Sequence, residues 1–153
     1  MDLPADIFSV TRKIRFAESD PAGIVFYPEF FRMFNDLFED WMEEVIGVDF
    51  PLQFSKHQRM FPLVHSEVDF KQPRVMGQNF KLVFVLTGLG RSTIRYTIIG
   101  LDGDDRDDRN GPEILRGNFV TCISSKTNHK SIALPDDMRP AMETYLTLCE
   151  GVG

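Results

Sequence analysis

One carboxylate in this chain stands where spacing alone allows chemistry. Asp20 opens the turn Asp20-Pro21-Ala22-Gly23, and a long amphipathic run begins a few residues later at Pro28. The first turn of a helix carries N–H groups without intrahelical partners and a partial positive charge. A carboxylate beside it can serve as base or nucleophile, while a free N–H near Tyr27 can polarise a carbonyl and hold the oxyanion that develops from it. A plainer role competes: Asp-Pro is a common turn opener, and Asp20 can simply shape the turn. Residue types alone favour the plainer role.

The rest of the sequence offers less. There is no Gly-x-Ser-x-Gly elbow and no Gly-x-x-x-x-Gly-Lys phosphate loop, and Gly88-Leu89-Gly90 lacks the third glycine and the helix of a dinucleotide site. His57, His65 and His129 are not spaced as metal ligands on any one element, so no metal is expected. Asp102-Gly103-Asp104 followed by Glu113 faintly follows a calcium loop. Arg106, and Asp107 where such a loop requires glycine, make a solvated hairpin loop the better reading.

Several elements must position Asp20. A first strand is expected over Ile7 to Phe16, with Ile14 and Phe16 on one face and Lys13 and Arg15 on the other. In the helix after the turn, Phe30, Phe34, Leu37, Phe38, Trp41 and Val45 step by three and four residues. Arg32, Asn35, Asp36, Glu39, Asp40 and Glu43 hold the opposite face. Phe31, Met33, Met42 and Ile46 widen the apolar side. Pro28 suits the first turn and Gly47 the left-handed close. Val48 to Phe61 reads as a loop with one helical turn. Strands follow at Leu63 to Phe70, at Phe80 to Thr87 turned by Gly88-Leu89-Gly90 into Ser92 to Ile99, and at Glu113 to Ser124. A short helix is expected from Leu134 through about Leu148. One long early helix and a run of antiparallel strands make a single α+β domain over residues 1–153.

Composition narrows the setting. The 153 residues carry a formal net charge of −6, which argues against general affinity for nucleic acid or an anionic membrane but leaves room for a local basic pocket. Cys122 and Cys149 are too few for a disulfide framework, and no signal peptide or membrane-spanning run is visible, so a cytoplasmic setting is expected.

The stretch Asp20-Pro21-Ala22-Gly23-Ile24-Val25-Phe26-Tyr27-Pro28, preceded by Ile14-Arg15-Phe16, resembles the signature of the 4-hydroxybenzoyl-CoA thioesterase family of hotdog-fold proteins. The resemblance implies a hotdog fold, in which a five-stranded antiparallel sheet wraps one long helix. It implies hydrolysis of an acyl-CoA, with Asp20 as the catalytic carboxylate and the Tyr27 backbone N–H on the thioester carbonyl. Phe26 stands where the family carries tryptophan and keeps an aromatic wall. The resemblance implies an aromatic acyl group, hydroxybenzoyl or other; Asn35 stands near the place where the aromatic-acyl enzymes carry a carboxylate for the phenolic hydroxyl, a departure that leaves the 4-hydroxybenzoyl group itself open. Arg91 with Ser92 matches the position near the coenzyme A phosphates, supplied there by a neighbouring subunit, and Lys126 and Lys130 follow by the same logic. A homodimer or homotetramer is implied, with coenzyme A as part of the substrate and no separate cofactor. Two other readings remain beside it: a hotdog enoyl-CoA hydratase or dehydratase, and an acyl-CoA-binding module without turnover.

Overall fold

The computed structural model describes residues 3–103 and 110–152. Its centre is α1 (Tyr27–Trp41), which buries Phe30, Met33, Phe34, Leu37, Phe38 and Trp41 and leaves Arg32, Asn35, Asp36 and Glu39 in solvent. That division is the one the three-and-four spacing dictates. The helix runs on through a π-helical turn, Met42–Ile46, and closes at Gly47 with φ 82°, a conformation that costs glycine least.

Against α1 lies an antiparallel sheet in the order β1-β4-β5-β6-β3, comprising β1 (Ser9–Lys13), β3 (Leu63–Phe70), β4 (Asn79–Leu89), β5 (Thr93–Asp102) and β6 (Glu113–Cys122). Its inner face is aromatic: Trp41 stacks on Phe84 at 4.4 Å, Phe38 on Tyr96 at 5.5 Å, and Phe34 meets Phe119 edge-on at 5.3 Å. Trp41 is fully buried, and its indole N–H finds no acceptor among the described residues. The stacked ring area must outweigh that loss, since truncating a buried Trp costs about 3–5 kcal/mol and an unmade bond about 1–3.

The sheet's two edges differ. β1 covers β4 only as far as the Ser9–Val83 pair. Past that point α3 (Arg139–Cys149) takes over. The Tyr145 hydroxyl donates to the Phe84 carbonyl at 2.6 Å and accepts the Phe8 N–H at 2.9 Å, and Cys149 Sγ accepts the Leu86 N–H at 3.3 Å. Burial raises the pKa of both groups, which keeps them protonated at neutral pH. The opposite edge, β3, is exposed along almost its whole length.

Four expectations need correction. The first strand stops at Lys13, because Glu18 pulls the chain away: its carboxylate accepts the Arg15 N–H at 2.8 Å and pairs with Arg12 at 2.7 Å. Phe16 is therefore 81% exposed on a 3₁₀ turn rather than on the apolar face beside Ile14. The stretch from Val48 holds more structure than one turn: Asp49 caps α2 (Phe50–Ser55), and β2 (Arg59–Met60) pairs with β7 (Ser124–Ser125) in a small second sheet. The rings of Phe50 and Phe61, stacked on each other with Phe54 edge-on to both, are invisible as a local period and hold that corner. β4 continues to Leu89, so its hairpin turns at Gly90 to Ser92. The last helix begins at Arg139, not Leu134, whose N–H is spent on the Arg91 carbonyl. The core of the calcium-like loop, 104–109, lies outside the described residues.

Candidate active site

The Asp20 turn is the tip of a short hairpin. Asp20 N–H donates to the Ile24 carbonyl at 2.9 Å, Ser19 bridges Val25, and Phe26 N–H donates to Glu18 at 3.0 Å. Gly23 closes the tip with φ 80° and donates to the Asp20 carbonyl. Asp20 Oδ1 accepts the Ala22 N–H at 2.8 Å. This Asx turn fixes the carboxylate and leaves its second oxygen without a protein donor among the described residues.

The hairpin is clamped from behind. Val25 N–H donates to the Arg74 carbonyl, Met76 N–H to Gly23, and Ile24 bridges Val75. Arg74 itself is 5% exposed and pairs with Asp102 at 2.9 Å. The sequence reading passed over this arginine; its position between Pro73 and the apolar Val75-Met76 was the available signal.

At the base of the hairpin the chain passes directly into α1. Phe26 is its N-cap and Pro28 lies in the first turn. The Tyr27 N–H has no acceptor among the described residues, as expected of a helix's first donor. Phe26 and Tyr27 place their rings 5.5 Å apart, about half and two-thirds exposed. Beside them opens an apolar cleft of about 310 Å³, lined by Ile24, Tyr27, Phe30, Phe70 and Pro73. Asp20 and the Tyr27 N–H thus lie seven residues apart, at the tip and the base of one hairpin.

The other named residues lie elsewhere. Asn35 is exposed two turns along α1, roughly 12 Å from Tyr27. It sits at the mouth of an aromatic slot of about 130 Å³ whose walls include Phe34, Phe38, Phe61 and Phe119. Tyr96 and Thr121 also line this slot, 5% and 2% exposed, with their hydroxyls 2.9 Å apart. Burial pushes the Tyr96 hydroxyl up to about 12, so it keeps its proton. The period-two alternation of β5 and β6 placed these side chains on one face, but only the fold brings them under Asn35.

Arg91 and Ser92 occupy the β4–β5 turn, at the far end of the sheet. β4 alone spans 11 residues, roughly 35 Å, between the Asp20 hairpin and this turn. Ser92 accepts the Ile123 N–H, which brings β7 and the Lys126–Lys130 turn to the same end. Lys126 N–H donates to the Gln58 carbonyl, so Lys56 and His57 join them. No carboxylate pairs with Lys56, Arg91, Lys126 or Lys130 among the described residues. One chain therefore collects the expected phosphate-binding cations together, but away from Asp20.

Among known proteins, a 1,4-dihydroxy-2-naphthoyl-CoA hydrolase of Synechococcus elongatus is 25% identical over 134 residues, covering 86% of this chain and 92% of that protein. The crystal structure of a 1,4-dihydroxy-2-naphthoyl-CoA thioesterase from Synechocystis superposes with a TM-score of 0.77 at 19% identity, over 88% of this chain and 94% of that one. The chain has the hotdog fold. A further hotdog structure, a Staphylococcus aureus protein in complex with CoA, reaches a TM-score of 0.85 at 9% identity, covering 97% of this chain and 89% of that one. No family model matches the chain. Within the hotdog frame, α1 is the central helix and β1, β3, β4, β5 and β6 are the wrapping sheet. Among the described residues no helix is long and apolar enough to cross a membrane, and no three His, Cys, Asp or Glu side chains cluster as metal ligands would.

Proposed function

We propose that this chain is a homo-oligomeric acyl-CoA thioesterase that hydrolyses an aromatic acyl-CoA to the free acid and coenzyme A. The observation that carries this reading is the Tyr27 N–H at the start of α1, without an acceptor among the described residues, next to a hairpin whose Asp20 carboxylate has one oxygen held by Ala22 and the other without a donor among those residues. The N–H polarises the thioester carbonyl and stabilises the oxyanion of the tetrahedral intermediate. Asp20 either takes a proton from the attacking water or attacks the carbonyl itself. On the water route, collapse expels coenzyme A as thiolate, which takes the proton held by Asp20; on the direct route it leaves an acyl anhydride on Asp20, which water then cleaves to the acid, the proton released going to the thiolate. The names of the relatives, hydrolases of naphthoyl-CoA thioesters, support both the thioester bond and an aromatic acyl group.

Coenzyme A binding falls to the other end of the sheet, to Arg91 with Ser92, joined by Lys126 and Lys130. A guanidinium suits phosphate because it forms paired charge-assisted hydrogen bonds. The sheet's length means that the Arg91 serving a given Asp20 belongs to another chain. The exposed β3 edge, with unpaired backbone donors and acceptors, supplies a surface for that second copy.

A panel of aromatic, aliphatic and enoyl acyl-CoAs, followed by free-thiol release, tests the reading. Thiol release from an aromatic acyl-CoA is expected. Water addition to an enoyl-CoA without thiol release, or binding without turnover, would overturn it.

A further inference from the structure

Arg74 is the one charged side chain among the described residues that the fold buries almost completely, at 5% exposure. Its Nε donates to the Pro73 carbonyl at 3.1 Å and its Nη1 to Asp102 Oδ1 at 2.9 Å. Asp102 ends β5 and is half-exposed. A guanidinium is costly to desolvate, and replacing a buried ion pair by well-packed apolar residues is often neutral or stabilising. Stability alone therefore does not call for an arginine here.

What the guanidinium adds is a tether. Gln72 N–H donates to the Ile114 carbonyl at 3.2 Å, and Gly77 N–H to Ile14 at 2.9 Å. Between these two anchors Pro73 has no N–H to give. Among the described residues, the stretch between them reaches the sheet by one hydrogen bond, from Arg74 to Asp102. On its other side the same stretch carries the Asp20 hairpin. The Arg74 carbonyl accepts the Val25 N–H at 2.9 Å, and the Gly23 carbonyl accepts the Met76 N–H at 3.3 Å. Val25 stands two residues before Tyr27, and the Phe26 N–H between them is spent on Glu18. Tyr27 and Arg74 also line the same cleft of about 310 Å³.

We propose that Arg74 is a positioning residue for thioester cleavage: its two-point grip on Pro73 and Asp102 fixes the carbonyl that holds Val25, and with it the place from which the Tyr27 N–H meets the thioester. The inference rests on the thioesterase reading for its reaction. It goes beyond that reading by making the aim of the N–H depend on a side chain anchored to β5. Lysine keeps the charge but lacks the planar fork that holds two acceptors at once.

Arg74→Met, Arg74→Lys and Asp102→Asn are compared with wild type in two measurements. In turnover of an aromatic acyl-CoA, Arg74→Met should lower kcat by about ten- to a hundredfold, since misplacing a reacting group by about 1 Å costs on that order. KM should stay within about twofold, because the phosphates are held at the far end of the sheet. Arg74→Lys should recover little of the loss, and Asp102→Asn, which keeps an acceptor for Nη1, should lose less. A raised KM with unchanged kcat, or a lysine variant with wild-type kcat, overturns the proposal. A merely structural role would loosen the whole domain, so the second measurement is amide hydrogen exchange without substrate. Arg74→Met should speed exchange at Val25 by at least about tenfold while the amides of central β5 stay within about twofold. Equal acceleration at both places, or none at Val25, overturns the proposal. Asp102→Asn carries the same comparison if Arg74→Met does not fold. If Val25 alone responds but wild type cleaves no thioester, the tether to the hairpin stands and the enzyme reading is refuted.

Discussion

The two ends of the sheet differ in how many of their cations are paired. At the Asp20 end, Arg12 is matched with Glu18, Lys71 and Arg116 with Glu113, and Arg74 with Asp102. At the hairpin end, Arg59 and Arg139 meet Asp137 and Glu143, while Lys56, Arg91, Lys126 and Lys130 have no carboxylate partner among the described residues, although the chain as a whole carries −6. Paired charges at the first end hold the loops that carry Asp20 without adding a strong net field. Unpaired ones at the second attract an anion. In the proposed function, chemistry and anion binding are thus divided between ends roughly 35 Å apart, which no single coenzyme A in one chain would bridge.

The sharpest way to break this division is at Asp20. Asp20→Asn keeps the acceptor that the Ala22 N–H uses, so the hairpin should survive, but it removes the base or nucleophile. A loss of about 10² to 10⁴ in kcat is expected, with an unchanged circular dichroism spectrum. A folded variant that keeps more than about a tenth of wild-type turnover, far short of that range, would return Asp20 to turn-shaping alone.

Arg91→Ala probes the other end. KM for acyl-CoA should rise by about tenfold, with a much smaller change in kcat, and added salt should weaken wild-type binding more than that of the variant. A collapsed kcat with unchanged KM would move Arg91 out of the binding role.

A smaller effect concerns the ion pairs that hold the Asp20 end. Hydrogen bonds from Arg116, with a further one from Lys71, hold the Glu113 carboxyl below its usual 4.5. The folded-state pKa is thus depressed, so the stability it contributes is present above about 4.5 and fades as pH falls through the lower, folded value. Glu113→Gln should lower unfolding stability at pH 7 by about 1 kcal/mol. Denaturant titrations across acidic pH should find the gap closing as Glu113 protonates, and a gap independent of pH would contradict this.

Much of this architecture was legible before any coordinates. The three-and-four stepping from Phe30 to Trp41 marked α1, Gly47 marked its end, and Leu63 to Phe70 matched β3 as expected. These features depend on local geometry and a burial pattern that each segment carries by itself. The misses depended on distant partners. Phe16 left the sheet because Glu18 bonded to Arg15 and Arg12, and β2 formed only because β7 lay beside it. For the site, the motif located Asp20 and Tyr27 on one hairpin, since both are close in sequence. The separation of Arg91 from Asp20 follows from the length of β4 rather than from any motif, and the slot under Asn35 needs α1, β5 and β6 at once.

The central claim is that each active site joins the Asp20 hairpin of one chain to the phosphate-binding end of another. Mixing Asp20→Asn chains with Arg91→Ala chains tests it directly, by thiol release at acyl-CoA concentrations well below the KM of the arginine variant. A mixed dimer would hold one site with both residues native and one with both altered. Random reassortment should then restore about a quarter of wild-type activity from two weakly active parents. If the mixture shows only the average of its parents, Asp20 and Arg91 act within the same chain or Arg91 does not act on the substrate, and the division between the two ends does not describe this enzyme.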